Sequence, residues 1–109
     1  KNDFSSAIYW VRKALSAKPH YGLAYITMGE IYEGSVLYCQ DKRGGEIKYE
    51  DKLVYEKALN QYKLAKRDPA FRAKAAKKIE NVRPFIPTEE DRFMHKKDKI
   101  TSPCYNWLK

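Results

Sequence analysis

Apolar residues recur along this chain at steps of three and four, and the rhythm breaks at prolines and at one glycine pair. Phe4, Ala7, Ile8, Val11, Ala14 and Leu15 form one stripe, which predicts an amphipathic helix over 4–17, stopped by Pro19. In "YGLAYITMGEIYEGSVLY", Leu23, Ala24, Ile26, Met28, Ile31, Tyr32 and Leu37 follow mixed spacing. A second helix buried on more than one side is expected from near Tyr21. It should end between Cys39 and Lys42, because Gly44-Gly45 is the strongest breaker in the chain. A third helix resumes near Tyr49, with Leu53, Tyr55, Ala58, Leu59, Tyr62 and Ala65 in register until Asp68-Pro69. The fourth, "AFRAKAAKKIENV", has one narrow apolar face of Phe71, Ala75, Ile79 and Val82, with Arg72, Lys74, Lys77, Lys78 and Glu80 around it. Pro84 and Pro87 prevent its continuation, and Thr88 with Asp91 three residues on predicts a short capped helix over 89–94. The remainder, "HKKDKITSP" and then "CYNWLK", reads either as an extended segment lying back on the helices through Cys104, Tyr105 and Trp107, or as a disordered tail. The fold class is all-α.

Composition supports a folded chain: 43% of the 109 residues are hydrophobic and 33% charged. No apolar run approaches the roughly 20 residues that cross a bilayer, and "KNDFSSAIYW" lacks the basic-then-apolar layout of a signal peptide. Helical spacing that begins at Phe4 with nothing before it to pack on leads us to expect further repeat upstream. Net charge is +8 and uneven. Residues 1–62 hold nine Lys/Arg against eight Asp/Glu, and residues 63–109 hold thirteen against six. A solvated helix face accounts for this basic half; an acidic partner, nucleic acid or an anionic membrane are the alternatives.

Little in the sequence points to catalysis. His20 and His95 have no ligand-spaced companions, Cys39 and Cys104 stand far apart with no CxxC, and there is no phosphate loop or nucleophile elbow. Neither an enzyme nor a cofactor or metal site is expected. Glu46, Glu50 and Asp51 lack the order of a calcium loop and sit where a helix start prefers negative charge, so they read as capping residues. The two cysteines leave three readings open: buried thiols, a redox pair, or a structural disulfide that would tie the tail to the second helix.

A repeat pattern orders these helices. Tyr25, Met28, Gly29 and Tyr32 fit the first half of the tetratricopeptide pattern W-x2-L-G-x2-Y, with an aromatic for Trp and Met for Leu. Ala58 and Tyr62, followed by Ala65 and Pro69, fit the second half; Ala7, Val11, Ala14 and Pro19 repeat it upstream. Ala75, Ala76 and Ile79 give a degenerate first half, with Arg72 where a bulky residue belongs. Small residues at Gly29, Ala58 and Ala75 would let backbones approach while Tyr25, Tyr32 and Tyr62 fill the remaining space. Over residues 4–82 the chain thus resembles a tetratricopeptide repeat array, with about 17 residues more between Tyr32 and Ala58 than that repeat contains. With Tyr32 and Ser35, Cys39, Tyr55, Lys66, Asp68, Pro87, Glu90, Asp91, Phe93, Cys104 and Trp107, it is similar to exported tetratricopeptide proteins of the Bacteroidetes phylum that have an elongated last hairpin. In those the last cysteine leads directly into Trp, whereas here Tyr105 and Asn106 intervene.

The resemblance implies an α-solenoid of antiparallel hairpins over 1–83, ending in a capping helix, with a short helix and a tail packing back over 84–109. It implies a Cys39–Cys104 disulfide and a periplasmic or otherwise exported location, with the cytoplasm as the alternative. It also implies a non-enzymatic scaffold whose groove binds a peptide or partner protein, lined by Leu23, Thr27, Glu30, Gly34, Arg72, Lys74 and Lys77. A structural subunit permanently docked in a larger complex is the second expectation. Nucleic-acid binding is the third, through the lysines and the tyrosines outside the packing pattern, Tyr9, Tyr38, Tyr49 and Tyr105.

Overall fold

A computed structural model describes residues 3–95 and 99–108; the expected course of the tail at 96–98, and the chain ends at 1–2 and 109, lie outside the described residues. Five α-helices follow in order: α1 (Phe4–Ala17), α2 (Gly22–Lys42), α3 (Tyr49–Ala65), α4 (Arg72–Val82) and α5 (Glu89–Met94). Short 3-10 turns occupy Pro69–Phe71, Arg83–Phe85 and Pro103–Leu108, and the described residues contain no strand.

Each boundary has a local cause. The Asp3 carboxylate accepts from the Ser6 N–H at 3.1 Å and starts α1. At the tip between α2 and α3, Gly44 and Gly45 take φ of 76° and 93°, values that only glycine adopts without strain. At α5 the Thr88 hydroxyl accepts from the Asp91 N–H while the Asp91 carboxylate accepts from the Thr88 N–H, a reciprocal cap.

From α1 to α4, consecutive helices are antiparallel neighbours. Phe4 meets Tyr38 across α1 and α2, Arg43 meets Asp51 and Gly29 meets Tyr62 across α2 and α3, and Tyr55 meets Phe85 beyond α4. The helix expected to be buried on more than one side is α2: Ala24, Ile26, Met28, Tyr32, Val36 and Cys39 all lie in the core. On α4 only Ala75, Ile79 and Val82 are buried; Ala76 and Lys78 are half-buried, and the outer side of the helix faces water. Helix α4 runs parallel to α2. Gly22 abuts Phe71 at one end and Glu30 pairs with Lys78 further along, with the same sequence offset to within one residue.

Two glycines of α2 permit this packing. A Cβ on Gly29 would stand 2.4–2.9 Å from the ring of Tyr62, which is itself fully buried. The ring therefore rests on bare backbone, and its hydroxyl donates to the Glu33 carboxylate. Burial, and then that carboxylate, push the Tyr62 phenol well above its usual range. At the start of α2, a Cβ on Gly22 would lie 2.9 Å from Cβ of both Asp68 and Phe71. Here the Gly22 N–H donates to the Asp68 carboxylate at 2.8 Å, so the residue that begins the α3–α4 turn also satisfies the first orphan donor of α2.

Gly29→Ala is expected to lower unfolding free energy by about 1–3 kcal/mol through overpacking. Gly34→Ala, whose Cβ would enter open space, is expected to be neutral or to stabilise the helix by up to ~1 kcal/mol. Urea titration of both variants measures the contrast, and equal stabilities would contradict the close approach at Gly29.

Candidate interaction face and the tail lock

The most heavily bonded polar group among the described residues is Asp51, which has no exposed surface. It is the third residue of α3, and its carboxylate accepts from the Lys48 N–H at 2.9 Å, as a capping residue would. It does more than cap. The Arg43 guanidinium, from the end of α2, donates to both its oxygens at 3.1 and 2.6 Å, and the Tyr105 hydroxyl of the tail donates to one of them. Burial works against the charged form, but these donors outweigh it and hold the carboxyl below the usual aspartate range. Neighbouring Glu50 departs from the capping role expected of it: it accepts from the Thr101 hydroxyl at 2.8 Å and the Ser102 N–H at 2.9 Å. Within the acidic cluster, Glu50 thus receives the tail, Asp51 both caps α3 and receives Tyr105, and Glu46 accepts from Arg43 through its backbone carbonyl.

The tail reaches further along α2. Cys104 lies against Cys39 at disulfide distance, S–S 2.11 Å and Cα–Cα 6.1 Å. Instead of staying extended, residues 103–108 coil into a 3-10 segment that carries Trp107 onto Phe4 and Tyr32, with ring centroids 5.3 and 5.9 Å apart. Cys39 thus lies under the tail, almost completely buried. A crosslink spanning 65 residues contributes on the order of 4 kcal/mol in the chain-entropy picture. Helix α5 is fastened separately to α3, by Lys52 to Asp91 at 2.9 Å and by Arg92 to Glu56. The reciprocal cap from Thr88, followed by Lys52, draws the Asp91 carboxyl down to about 2.

The expected groove residues separate into two sets. Leu23, Thr27, Glu30 and Gly34 form one stripe along α2 outside the core, beside α4. Glu30 is bridged to α4 by Lys78 at 2.6 Å, a residue absent from the expected lining. Lys74 lies one turn before Lys78 on the same side, while Lys77 is rotated outward by one 100° helical step. Arg72 departs from the expectation: its guanidinium turns to the far side of α4 and donates to the Lys66 carbonyl at 3.1 Å, closing the end of α3.

The loose tyrosines are also largely committed. Tyr105 is buried on Asp51, Tyr38 packs on Phe4, and Tyr49 stacks on His95. Only Tyr9 stands mostly in water, beside Trp10 and beneath Lys13. The described residues hold no cluster of His, Cys, Asp and Glu able to bind a metal ion, and none of their helices is long and apolar enough to cross a membrane. An all-helical chain with a disulfide-distance cysteine pair is therefore the class that the geometry defines. No family model, curated protein or solved structure matches it.

The lowered pKa of Asp51 fixes a pH dependence. Its folded carboxyl is more acidic than its unfolded one, so its stabilisation is complete above about pH 4 and is lost as pH falls toward the folded value. Asp51→Asn is expected to cost about 2–3 kcal/mol at neutral pH, less than for a fully buried pair because Arg43 retains access to water. Its stability should also fall less steeply with acid. Urea unfolding between pH 7 and 3 measures both, and parallel acid limbs for the two proteins would contradict the role given to Asp51.

Proposed function

We propose that this chain is a non-enzymatic protein-interaction module of tetratricopeptide type, part of a larger assembly, with its groove along α2 and α4. The parallel course of these two helices carries the reading. In a solenoid, the first helices of successive hairpins stand side by side and line one concave face. The contacts of Gly22 with Phe71 and of Glu30 with Lys78, which align α2 and α4, support that reading. Leu23 and Thr27 on α2, with Lys74 on α4, are left outside the core on that side. Close seating of Tyr62 on Gly29 and the burial of Ala58 and Ala65 support the same reading. The Cys39–Cys104 pair suits an oxidising, exported setting such as the periplasm. A permanently docked structural subunit is a second reading, favoured by the outward rings Tyr9 and Trp10, 56% and 64% exposed on α1.

A photo-crosslinking residue at Thr27 should capture partner protein, and Lys74→Glu/Lys77→Glu should reduce that capture several-fold while helicity by circular dichroism is unchanged. Equal capture by the variant and the parent would remove the groove. Co-purification with a partner through high salt would instead favour the docked subunit.

A further inference from the structure

We propose that a second cleft, between α3 and α4 on the side away from α2, is a docking site for an acidic, leucine-containing peptide segment of a partner protein. The cleft has a volume of about 410 Å³ and is lined by Lys63 of α3 and Lys66 just after it, by Ala76, Ile79 and Glu80 of α4, and by Arg83 just beyond α4. Both sets follow helical spacing: the two lysines are three positions apart, and steps of three and four join Ala76, Ile79 or Glu80, and Arg83. The cleft is therefore a short trough between two stripes, with Ala76 and Ile79 as an apolar floor and cations along both rims.

Charge identifies the occupant. Lys63, Lys66 and Arg83 are exposed, and none of them forms an ion pair among the described residues. By contrast, Arg43, Lys52, Lys78 and Arg92 each have a carboxylate. Glu80 is the single acidic residue of the lining. Three cations against one carboxylate around an apolar floor complement a segment in which carboxylates alternate with an aliphatic side chain. A single-stranded nucleic acid is the poorer fit, because the lining has no aromatic ring on which a base could stack. This site shares no residue with the α2–α4 groove, so either can fail without the other.

Fluorescence anisotropy with a labelled glutamate–leucine peptide tests the proposal on the full chain. Its glutamine–leucine counterpart and a thymidine oligonucleotide serve as comparison probes. The acidic peptide should bind, more weakly as salt is raised. Lys63→Glu/Lys66→Glu should weaken it by roughly tenfold, Lys63→Gln/Lys66→Gln by less, and Lys74→Glu should leave it unchanged. No binding of the acidic peptide, equal binding of the glutamine peptide, equal affinity in Lys63→Glu/Lys66→Glu, or preferential binding of the oligonucleotide would each overturn the proposal. Circular dichroism of each variant separates a lost site from a lost fold.

Discussion

A carboxylate removed from water must be met by positive charge and by donors, or it takes up a proton. Asp51 meets that constraint with groups from three parts of the chain: Arg43 at the end of α2, the Lys48 N–H before α3, and Tyr105 in the tail. Because Tyr105 lies 54 residues from Asp51 while Arg43 and Lys48 flank the hairpin tip, satisfying one carboxylate brings that tip and the C-terminal segment together. The other tail contacts act in the same direction. Glu50 holds Thr101 and Ser102, Cys39 lies at bonding distance from Cys104, and Trp107 covers Tyr32 and Phe4. The last of these reaches α1, so the tail bridges the first three helices.

Helix stacking imposes a second constraint at α2, which has neighbours on several sides. Side chains of neighbouring helices must rest directly on its backbone there, and the chain answers with Gly29 beneath Tyr62 and Gly22 beneath Asp68 and Phe71. Asp68 has a double role, opening the turn before α4 and accepting from the first N–H of α2. Through it and the Glu30–Lys78 pair, α4 is aligned along α2. That alignment leaves two separate surfaces on α4. One faces the stripe of Leu23 and Thr27, and the other faces Lys63 and Lys66 of α3, which is why its many cations do not form a single patch.

Periodicity was sufficient to place the helices because each boundary carries a local signal: Pro19 after α1, Gly44-Gly45 after α2, Asp68-Pro69 after α3, and Thr88 with Asp91 at α5. The tail interactions were less legible. Glu50 and Asp51 at a helix start look like ordinary capping residues, and nothing local shows that Tyr105, 54 residues later, supplies a hydroxyl to one of them. Side-chain direction on α4 was similarly hidden. Arg72, Lys74 and Lys77 look alike as a basic face, but successive residues advance by about 100°, and the neighbouring helices divide them. A helical wheel anchored on the buried trio Ala75, Ile79 and Val82 would have put Arg72 and Lys74 on opposite sides.

Closure of the C-terminal segment onto the α2–α3 hairpin is part of the fold. Intact mass of the unreduced, denatured protein after exposure to a thiol-alkylating reagent tests this most directly. The Cys39–Cys104 pair predicts a single species with no adduct, two hydrogens lighter than the reduced chain. A protein that takes up two alkyl groups without prior reduction would contradict it.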